Sequence, residues 1–373
     1  MSEETQREET QRVETQRVET QAAPSELHVV VTGATGNVGT AVVRALGEQD
    51  AVKSILGVAR RATEWTAPKA RFDAVDVATG ELDSTMHGAD ALIHLAWLFH
   101  PTHKPEKTWE NNVLGTIRTL TAAADAQVPV IVVASSVGAY SPGPEDGHAV
   151  DESWPTHGWP GAAYPREKAY LERWLDVFER EHPHIRVVRM RPGFIFQRGS
   201  ASAQRRIFGG PFVPGSLVRA IPVVPDMPGL SMQILHADDV ADAYVRAVLR
   251  PVRGPFNVAA EPPVDAHTLG DLLGARVVPV RSGLVRSAAA AAWHTHLAPA
   301  EPGLFDTVLR LPLMDCARAR SELGWSPAHS PAEVLREFVD GLRSGAGLPT
   351  PPLAPDSVRG RIQELATGVG ARP

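Results

Sequence analysis

Twelve residues near the N-terminus specify the architecture of this chain: His28-Val29-Val30-Val31-Thr32-Gly33-Ala34-Thr35-Gly36-Asn37-Val38-Gly39. The first four residues are typical of a buried strand, and Ala41 to Leu46 is typical of a helix. The glycines between them let backbone N–H groups approach a pyrophosphate, and the helix N-terminus adds a favourable dipole. We therefore predict a dinucleotide-binding loop rather than a plain strand-to-helix turn. Its predicted cofactor contacts are Gly33, Thr35, Gly36, Asn37, Val38 and Gly39.

Short apolar strands alternate with helical stretches along the next part of the chain, and the longest of these helices is expected over Thr108 to Ala126. Buried strands that alternate with helices form a parallel, doubly wound sheet. The sequence thus predicts an α/β Rossmann fold with a smaller C-terminal substrate-binding domain. The further strands are expected at Ile55–Ala59, Phe72–Val75, Ala91–Ala96, Pro129–Ala134 and Arg186–Met190.

Changes in composition divide the chain into four segments. Residues 1–25 repeat Glu-Thr-Gln-Arg with few apolar side chains, which predicts a disordered repeat tail and linker. Residues 26–192 are expected to form the dinucleotide-binding domain, which also receives about 231–250. Residues 193–345 are expected to form mainly the substrate-binding region, and 346–373 a proline-rich C-terminal tail on the surface.

Composition limits the partners and the compartment. The formal net charge is −6, so no basic excess favours nucleic acid or an anionic membrane as a partner. No apolar run approaches the roughly 20 residues that span a bilayer, and no secretory signal is visible. Cys316 is the single cysteine, so no internal disulfide forms. These features fit a cytoplasmic protein that acts on a small molecule.

A second motif, Tyr164-Pro165-Arg166-Glu167-Lys168, supplies catalytic chemistry. Residues four apart share a helix face, so Tyr164 and Lys168 point together. Pro165 is tolerated only in the first helical turn, which places Tyr164 at or just before the helix start. A tyrosine pKa near 10 is too high for a good base, and a nearby ammonium lowers it.

The order of the motifs resembles the extended short-chain dehydrogenase/reductase superfamily, known as the NAD-dependent epimerase/dehydratase family. The glycine loop, Asn112-Val113-Leu114-Gly115-Thr116, Ser135-Ser136 and the tyrosine motif follow one another as in that family, and the resemblance covers roughly residues 27–345. Either serine could supply the acting hydroxyl. The family places it four residues before a tyrosine, here Tyr140, which selects Ser136.

The resemblance implies roles for individual residues. Tyr164 transfers the proton, Ser136 hydrogen-bonds the substrate oxygen, Lys168 also holds the nicotinamide ribose, and Asn112 completes a water-linked proton path. The opposing interpretation is that all four are structural. Further cofactor contacts are expected at Asp76, Val77, Leu95, Ala96 and Pro192.

The choice of dinucleotide depends on the end of the second strand. In this fold a carboxylate there binds the ribose 2′-OH of NAD, whereas arginine accommodates the 2′-phosphate of NADP. The strand ends in Ala59-Arg60-Arg61 and has no carboxylate. We therefore expect Arg60 and Arg61 to favour NADP over NAD, the alternative being two solvated arginines.

The substrate is expected to carry little negative charge. Val137-Gly138 after Ser136 disfavours dehydration, Gly193-Phe194 stands where sugar-nucleotide enzymes usually carry an asparagine, and Met232 replaces a frequent arginine. Losing that arginine removes a charge-assisted contact to a diphosphate. The predicted substrate contacts are Trp97, Ser136, Tyr164, Gly193 and Phe194.

The region after the fourth strand is aromatic and predicts either an apolar substrate pocket or ordinary packing. It holds Trp97, Phe99 and Trp109. His100 and His103 lack a carboxylate cluster, so no metal is expected.

Three functions remain open from the sequence. The leading prediction is an NAD(P)-dependent oxidoreductase that transfers hydride at a carbonyl or alcohol carbon of a small, non-nucleotide substrate. The alternatives are a UDP-hexose 4-epimerase and a non-catalytic dinucleotide sensor, which has no use for Tyr164, Lys168 and Ser136. The resemblance also implies a possible homodimer through the helices Thr108–Ala126 and Tyr164–Glu181.

Overall fold

The computed structural model describes residues 26–99, 104–208, 221–295, 297, 301–357, 360 and 362. The predicted repeat tail, apart from its boundary with the first strand, lies outside the described residues, as do His100 and His103.

A seven-stranded parallel sheet forms the centre of the molecule, with the strand order β3-β2-β1-β4-β5-β6-β11. The first six strands follow the order of a doubly wound nucleotide-binding sheet, which confirms the predicted Rossmann fold. Numbered along the chain, its strands are β1 (Leu27–Thr32), β2 (Val52–Ala59), β3 (Ala70–Ala74), β4 (Ala91–His94), β5 (Val130–Ala134), β6 (Arg186–Pro192) and β11 (Gly254–Val258).

Helices cover the sheet and continue into the C-terminal region. They are α1 (Asn37–Gly47), α2 (Asp83–Met86), α3 (Pro105–Thr108), α4 (Gly115–Asp125), α5 (Ala163–Glu181), α6 (Ala201–Phe208), α7 (Ala237–Leu249), α8 (Ala266–Leu273), α9 (Ser282–His294), α10 (Pro302–Val308) and α11 (Pro331–Ser344). None of the helices in the described ranges is long and apolar enough to cross a membrane.

The core lies on both faces of the sheet because successive strand residues point to opposite sides. In β1, Val29 and Val31 pack into one apolar cluster, together with residues of α1 and α7. Val30 packs into the other cluster, which includes residues of α4 and α5. Both faces of β1 are therefore buried from Val29 to Val31, which is why this stretch is apolar without alternation.

A π-helical turn, Trp109–Leu114, joins α3 to α4. The sequence predicted an ordinary helix across this region. π-Helical turns are rare and often occur at functional sites, and this one contains Asn112 and Trp109.

Small two-stranded sheets lie within residues 194–279. β7 (Phe194–Phe196) pairs with β10 (Ile234–His236), β8 (Val223–Asp226) with β13 (Arg276–Pro279), and β9 (Ser231–Met232) with β12 (Val264–Asp265). The predicted division into segments at residues 192 and 345 stays a prediction.

The segment after α11 is partly buried, in contrast to the surface position predicted for it. Thr350 is 2 % exposed and donates a hydrogen bond of 2.9 Å to the carbonyl of Thr35, which lies in the glycine loop. The Arg206 guanidinium donates to the carbonyls of Pro352 and Ala354. The Thr350 bond holds residues 346–356, called here the C-terminal strap, against the first loop of the fold, and the Arg206 bonds hold the strap against α6.

We expect Thr350→Val to lower the free energy of unfolding by about 1–3 kcal/mol, because it leaves the buried Thr35 carbonyl without its donor. Thr350→Ser keeps the hydroxyl and should retain most of the stability. Urea unfolding of the two variants tests this, and equal losses for valine and serine would show that the hydroxyl contributes nothing.

Candidate active site

The carboxyl ends of β1, β4, β5 and β6 meet at one edge of the sheet, where ligands bind in open α/β folds. The glycine loop follows β1, Leu95 follows β4, and Ser136 lies just after β5. The predicted site residues on these strands therefore share one crevice.

The glycine loop fits the pyrophosphate of a dinucleotide. Gly33 has a φ of +71°, and a Cβ added there would lie 2.7 Å from the Ala96 nitrogen. A Cβ at Gly39 would lie 2.2 Å from the Gly33 carbonyl oxygen. Gly36 precedes α1 and no side chain caps this helix, so its first N–H groups are available to an anion.

Two residues of the loop are held by other parts of the chain. The Asn37 side chain donates to the Ile195 carbonyl and accepts from Gln197, and the Thr35 carbonyl accepts from Thr350. Sequence reasoning predicted cofactor contacts for Asn37 and Thr35, and it missed these partners because they lie far away in the chain.

The other predicted cofactor residues also lie past strand ends. Asp76 accepts from the Ala78 N–H at 2.9 Å, and the Val77 carbonyl accepts from Arg118. Leu95 and Ala96 donate their N–H groups to Thr32, at 3.1 Å and 3.3 Å. Pro192 is the last residue of β6 and pairs with Val258.

Tyr164 is the second residue of α5, in the position predicted from Pro165. The Trp97 and Phe99 rings lie edge-on to its ring, with centroids 5.9 Å and 4.8 Å away. Burial raises the pKa of Tyr164 to about 12, and a hydrogen bond with the Ser136 side chain opposes that shift. A proton-transfer role therefore requires positive charge close to the phenol.

The two serines after β5 have different partners. Ser136 lies beside Tyr164, and its hydroxyl accepts from the Gly138 N–H at 2.9 Å. Ser135 instead donates to the Glu172 carboxylate at 2.5 Å. Only Ser136 has its hydroxyl next to the phenol.

Lys168 is buried on the same face of α5 as Tyr164. Its ammonium donates to the Ala134 carbonyl at 2.7 Å and lies 3.3 Å from the centre of the Trp97 ring. Burial lowers the pKa of Lys168 to about 7, while the charges of Glu167 and Glu172 oppose that shift. These carboxylates help to keep the ammonium protonated.

Glu172 anchors the catalytic helix to the sheet through a buried ion cluster. Arg191 binds the carboxylate through two hydrogen bonds of 2.9 Å, and Arg189 adds a third of 3.1 Å. Burial would raise the pKa of Glu172, but the hydrogen bonds and charge of Arg191 outweigh it and lower the pKa to about 2. Bidentate arginine–carboxylate pairs are geometrically specific, so this cluster fixes α5 relative to β6.

His94 is a buried polar residue that sequence reasoning passed over as a site residue. Its two ring nitrogens hydrogen-bond the hydroxyls of Thr32 and Thr116, at 2.8 Å and 2.9 Å. Burial, together with the nearby charge of Lys168, lowers the pKa of His94 to about 3. The neutral ring therefore links β1 and β4 to α4.

A cleft of about 370 Å³ opens beside Tyr164. Its walls include the aromatic rings of Trp97 and Phe99 and the carboxylates of Glu167 and Glu301. No lysine or arginine is among the described residues that line it. The Trp97 indole N–H is buried and has no hydrogen-bond partner within the described ranges, so it is a donor available to a bound molecule.

Sequence reasoning missed Glu167 and Glu301 as lining residues. Glu167 lies three residues after Tyr164, a spacing that shares a helix face and could have revealed it. Glu301 accepts from the Ala163 N–H at 2.9 Å and so caps α5 from a distant segment, which no local pattern indicates.

The predicted substrate residues Gly193 and Phe194 lie where β6 passes into β7. The Gly193 N–H donates to the Val258 carbonyl, and the Phe194 N–H donates to the Gln233 carbonyl. A Cβ at Gly193 would lie 2.4 Å from that same Gln233 oxygen, so only glycine fits this crossing. Neither residue is among those that line the cleft beside Tyr164.

No group of three or more histidine, cysteine, aspartate or glutamate side chains that could hold a metal occurs in the part of the chain that the structure describes.

Comparison with known proteins identifies the family. The NAD dependent epimerase/dehydratase family matches residues 29–259. The chain belongs to this family, and it is an enzyme of the oxidoreductase type.

Individual relatives are distant. An uncharacterised protein of Mycobacterium tuberculosis is 25 % identical over 306 residues, 81 % of this chain and 76 % of that protein. The UDP-glucose 4-epimerase of Yersinia pestis is 25 % identical over 343 residues, 83 % of this chain and 96 % of that enzyme. The crystal structure of Thermus thermophilus UDP-glucose 4-epimerase in complex with NAD has a TM-score of 0.63 and 20 % identity, covering 86 % of this chain and 100 % of that one.

The preference for NADP predicted from Arg60 and Arg61 is wrong, because the Thermus structure and several other similar structures are NAD complexes. Arg60 is exposed after β2, where water solvates its charge. Burial lowers the pKa of Arg61, and the charges of Arg60 and Arg206 lower it further. Two arginines after the strand are therefore an insufficient signal for a 2′-phosphate.

We expect Glu172→Gln to lower the free energy of unfolding by about 3–5 kcal/mol near neutral pH, because it leaves the buried Arg191 and Arg189 without their counter-charge. The lowered pKa means that this stabilisation is present above pH 4.5 and is lost as the pH falls through about 2. The difference in the free energy of unfolding between wild type and variant should therefore become smaller at acidic pH.

The matched control is Asp242→Asn, which breaks a more exposed ion pair with Arg246. This variant should lower the free energy of unfolding by only about 0.2–1 kcal/mol. Urea unfolding at several pH values measures both variants, and equal effects would contradict the role given to the buried cluster.

Proposed function

We propose that the protein catalyses reversible hydride transfer at the alcohol or carbonyl carbon of a small, non-nucleotide substrate, with NAD as its redox partner. The observation that carries this proposal is the meeting of Tyr164, Ser136 and Lys168 beside the cleft, at the sheet edge that holds the glycine loop. The NAD complexes of similar structures support the choice of cofactor.

Ser136, Tyr164 and Lys168 have different roles in the proposed proton transfer. The substrate oxygen binds between the hydroxyls of Ser136 and Tyr164, and Tyr164 Oη takes or returns the hydroxyl proton. Bound NAD supplies a hydride acceptor and, when oxidised, a positive charge. Lys168 adds a second positive charge, and together these charges stabilise a phenolate whose pKa burial has raised.

The wall of the cleft selects an uncharged group near the reacting carbon. Glu167 and Glu301 contribute negative charge, and the aromatic rings offer apolar surface. A carboxylate or phosphate on the substrate at this position would meet two carboxylates without a lysine or arginine among the described lining residues.

A second candidate function is a UDP-hexose 4-epimerase, favoured by the Yersinia pestis relative, which matches over 96 % of that enzyme. Epimerisation uses the same proton carrier, because hydride is removed from the sugar and returned to its other face. Met232 and Gly193-Phe194 weigh against this candidate, since both depart from the usual sugar-nucleotide pattern.

The test is Tyr164→Phe in the full chain. NAD affinity measured by calorimetry should be unchanged, because binding depends mainly on the glycine loop. Turnover of secondary alcohols and ketones, followed by NADH absorbance, should fall by about 10²–10⁴-fold. Tyr170→Phe, an exposed tyrosine on the same helix, is the matched control and should leave turnover unchanged.

The outcomes separate the two candidates. Net NADH formation with alcohols supports the oxidoreductase, whereas interconversion of UDP-glucose and UDP-galactose without net NADH supports the epimerase. Near-normal turnover by Tyr164→Phe with any true substrate would overturn both.

We also propose that the predicted helix pair forms a homodimer face. Large apolar side chains are exposed there on the π-helical turn and on α5, among them Trp109, Tyr170 and Val177. The Trp109 and Tyr170 rings contact each other, with centroids 4.8 Å apart. A two-fold dimer buries the same patch on both copies.

Val177→Arg should convert the dimer to a monomer in sedimentation velocity, because it places charge in the apolar contact. Leu284→Arg, at an exposed leucine on α9, should leave the mass unchanged. A wild-type protein that sediments as a monomer at micromolar concentration would refute the dimer.

A further inference from the structure

Glu167 is a buried carboxylate that the proposed proton transfer does not use. It is 3 % exposed and lies between Tyr164 and Lys168 in the catalytic motif. A buried charge is costly unless hydrogen bonds satisfy it. Its partners therefore indicate what it does.

Both oxygens of Glu167 accept hydrogen bonds from the helix that faces α5. Thr108 Oγ1 donates to Oε1 at 2.5 Å, and Asn112 Nδ2 donates to Oε2 at 2.8 Å. Thr108 ends α3, and Asn112 lies in the π-helical turn. One carboxylate thus spans the junction between an ordinary helix and the π-helical turn.

Asn112 connects Glu167 to the wall of the cleft through hydrogen bonds with the Leu98 backbone. Its Oδ1 accepts from the Leu98 N–H at 2.7 Å, and its Nδ2 also donates to the Leu98 carbonyl at 3.2 Å. Leu98 lies between Trp97 and Phe99, the two residues whose rings contact Tyr164. A continuous chain of hydrogen bonds therefore runs from the catalytic helix to the aromatic wall.

We propose that Glu167 is a positioning residue, which acts through Asn112 to hold the segment Trp97–Phe99 against Tyr164. Leu98 lies beyond the end of β4 at His94, and Asn112 hydrogen-bonds both its backbone N–H and its carbonyl. The inference rests on the proposed function only in taking Tyr164 as the reacting group.

Positioning and charge are separable because glutamine can preserve both hydrogen bonds. Thr108 Oγ1 also donates to the Pro105 carbonyl at 2.9 Å, so it can accept from a glutamine amide while that amide's oxygen accepts from Asn112. Glu167→Gln therefore keeps the contacts and removes the charge. Glu167→Ala removes both.

The first experiment measures hydrogen exchange by mass spectrometry in the full chain with NAD, and it needs no substrate. Glu167→Ala should speed exchange of the Leu98 amide by roughly tenfold or more, because Asn112 loses a charge-assisted hydrogen bond. Glu167→Gln should stay within about threefold of wild type, since one neutral hydrogen bond replaces a charged one. Glu110→Gln, an exposed carboxylate on the same π-helical turn, is the control and should change nothing.

A double-mutant cycle tests whether the effect passes through Asn112. In an Asn112→Ala background, Glu167→Ala should have little further effect on Leu98 exchange, because the connecting side chain is already absent. With a substrate identified by its turnover, Glu167→Ala should raise KM more than it lowers kcat, and Glu167→Gln should restore KM.

Unchanged Leu98 exchange in Glu167→Ala would overturn the proposal, as would additive effects of the two alanine variants or a Glu167→Gln variant as impaired as Glu167→Ala. A wild-type protein without turnover would refute the proposed function and leave the exchange result to decide the role of Glu167.

Discussion

The rest of the site depends on the hydrogen bonds and ion pairs of the buried Glu172 carboxylate. It lies one helical turn after Lys168 and binds two arginines of β6 and the hydroxyl of Ser135 after β5. Arg191 also donates a hydrogen bond to the Tyr140 hydroxyl, which in turn donates to Asn257 on β11. The helix α5, two neighbouring strands and the outermost strand are thus joined around one buried carboxylate. Because α5 also carries Tyr164 and Lys168, this cluster helps to hold both side chains in place relative to the sheet.

Burial shifts the pKa values of Tyr164 and Lys168 in opposite directions. A hydrogen bond with Ser136 limits the shift at Tyr164, and nearby carboxylates limit the shift at Lys168. The phenol becomes a weaker acid and the ammonium a stronger one as water is excluded. Carboxylates on α5 moderate the change at Lys168, while His94 remains neutral and adds no charge. The electrostatic state of the site therefore depends on which charges surround it as well as on the motif itself.

Much of the fold could be predicted from the sequence because its signals are local. A strand, a glycine loop and a helix follow one another within residues 27–47, and further short strands, most of them separated by helices, follow up to β6. The position of Tyr164 at the start of α5 follows from the steric demands of Pro165 alone. These inferences needed only neighbouring residues.

The remaining features depend on contacts between distant segments. Glu301 caps α5 from 138 positions away, and Gln197 binds Asn37 across 160. The composition of the π-helical turn at Asn112 does not distinguish it from an ordinary helix. Asn112 hydrogen-bonds Leu98 and Glu167, which lie in other segments of the chain. The predicted preference for NADP was wrong for a related reason. Two consecutive arginines in a sequence do not reveal whether solvent or neighbouring charges surround them.

The strap contact between Thr350 and Thr35 joins residues 315 positions apart. Thr35 is synthesised 315 residues before Thr350, so its carbonyl acquires this donor only when the strap has been made. During synthesis the glycine loop therefore lacks this hydrogen bond until the ribosome has passed the strap. A change in the strap would consequently alter the loop that follows β1, although the two lie far apart in the sequence.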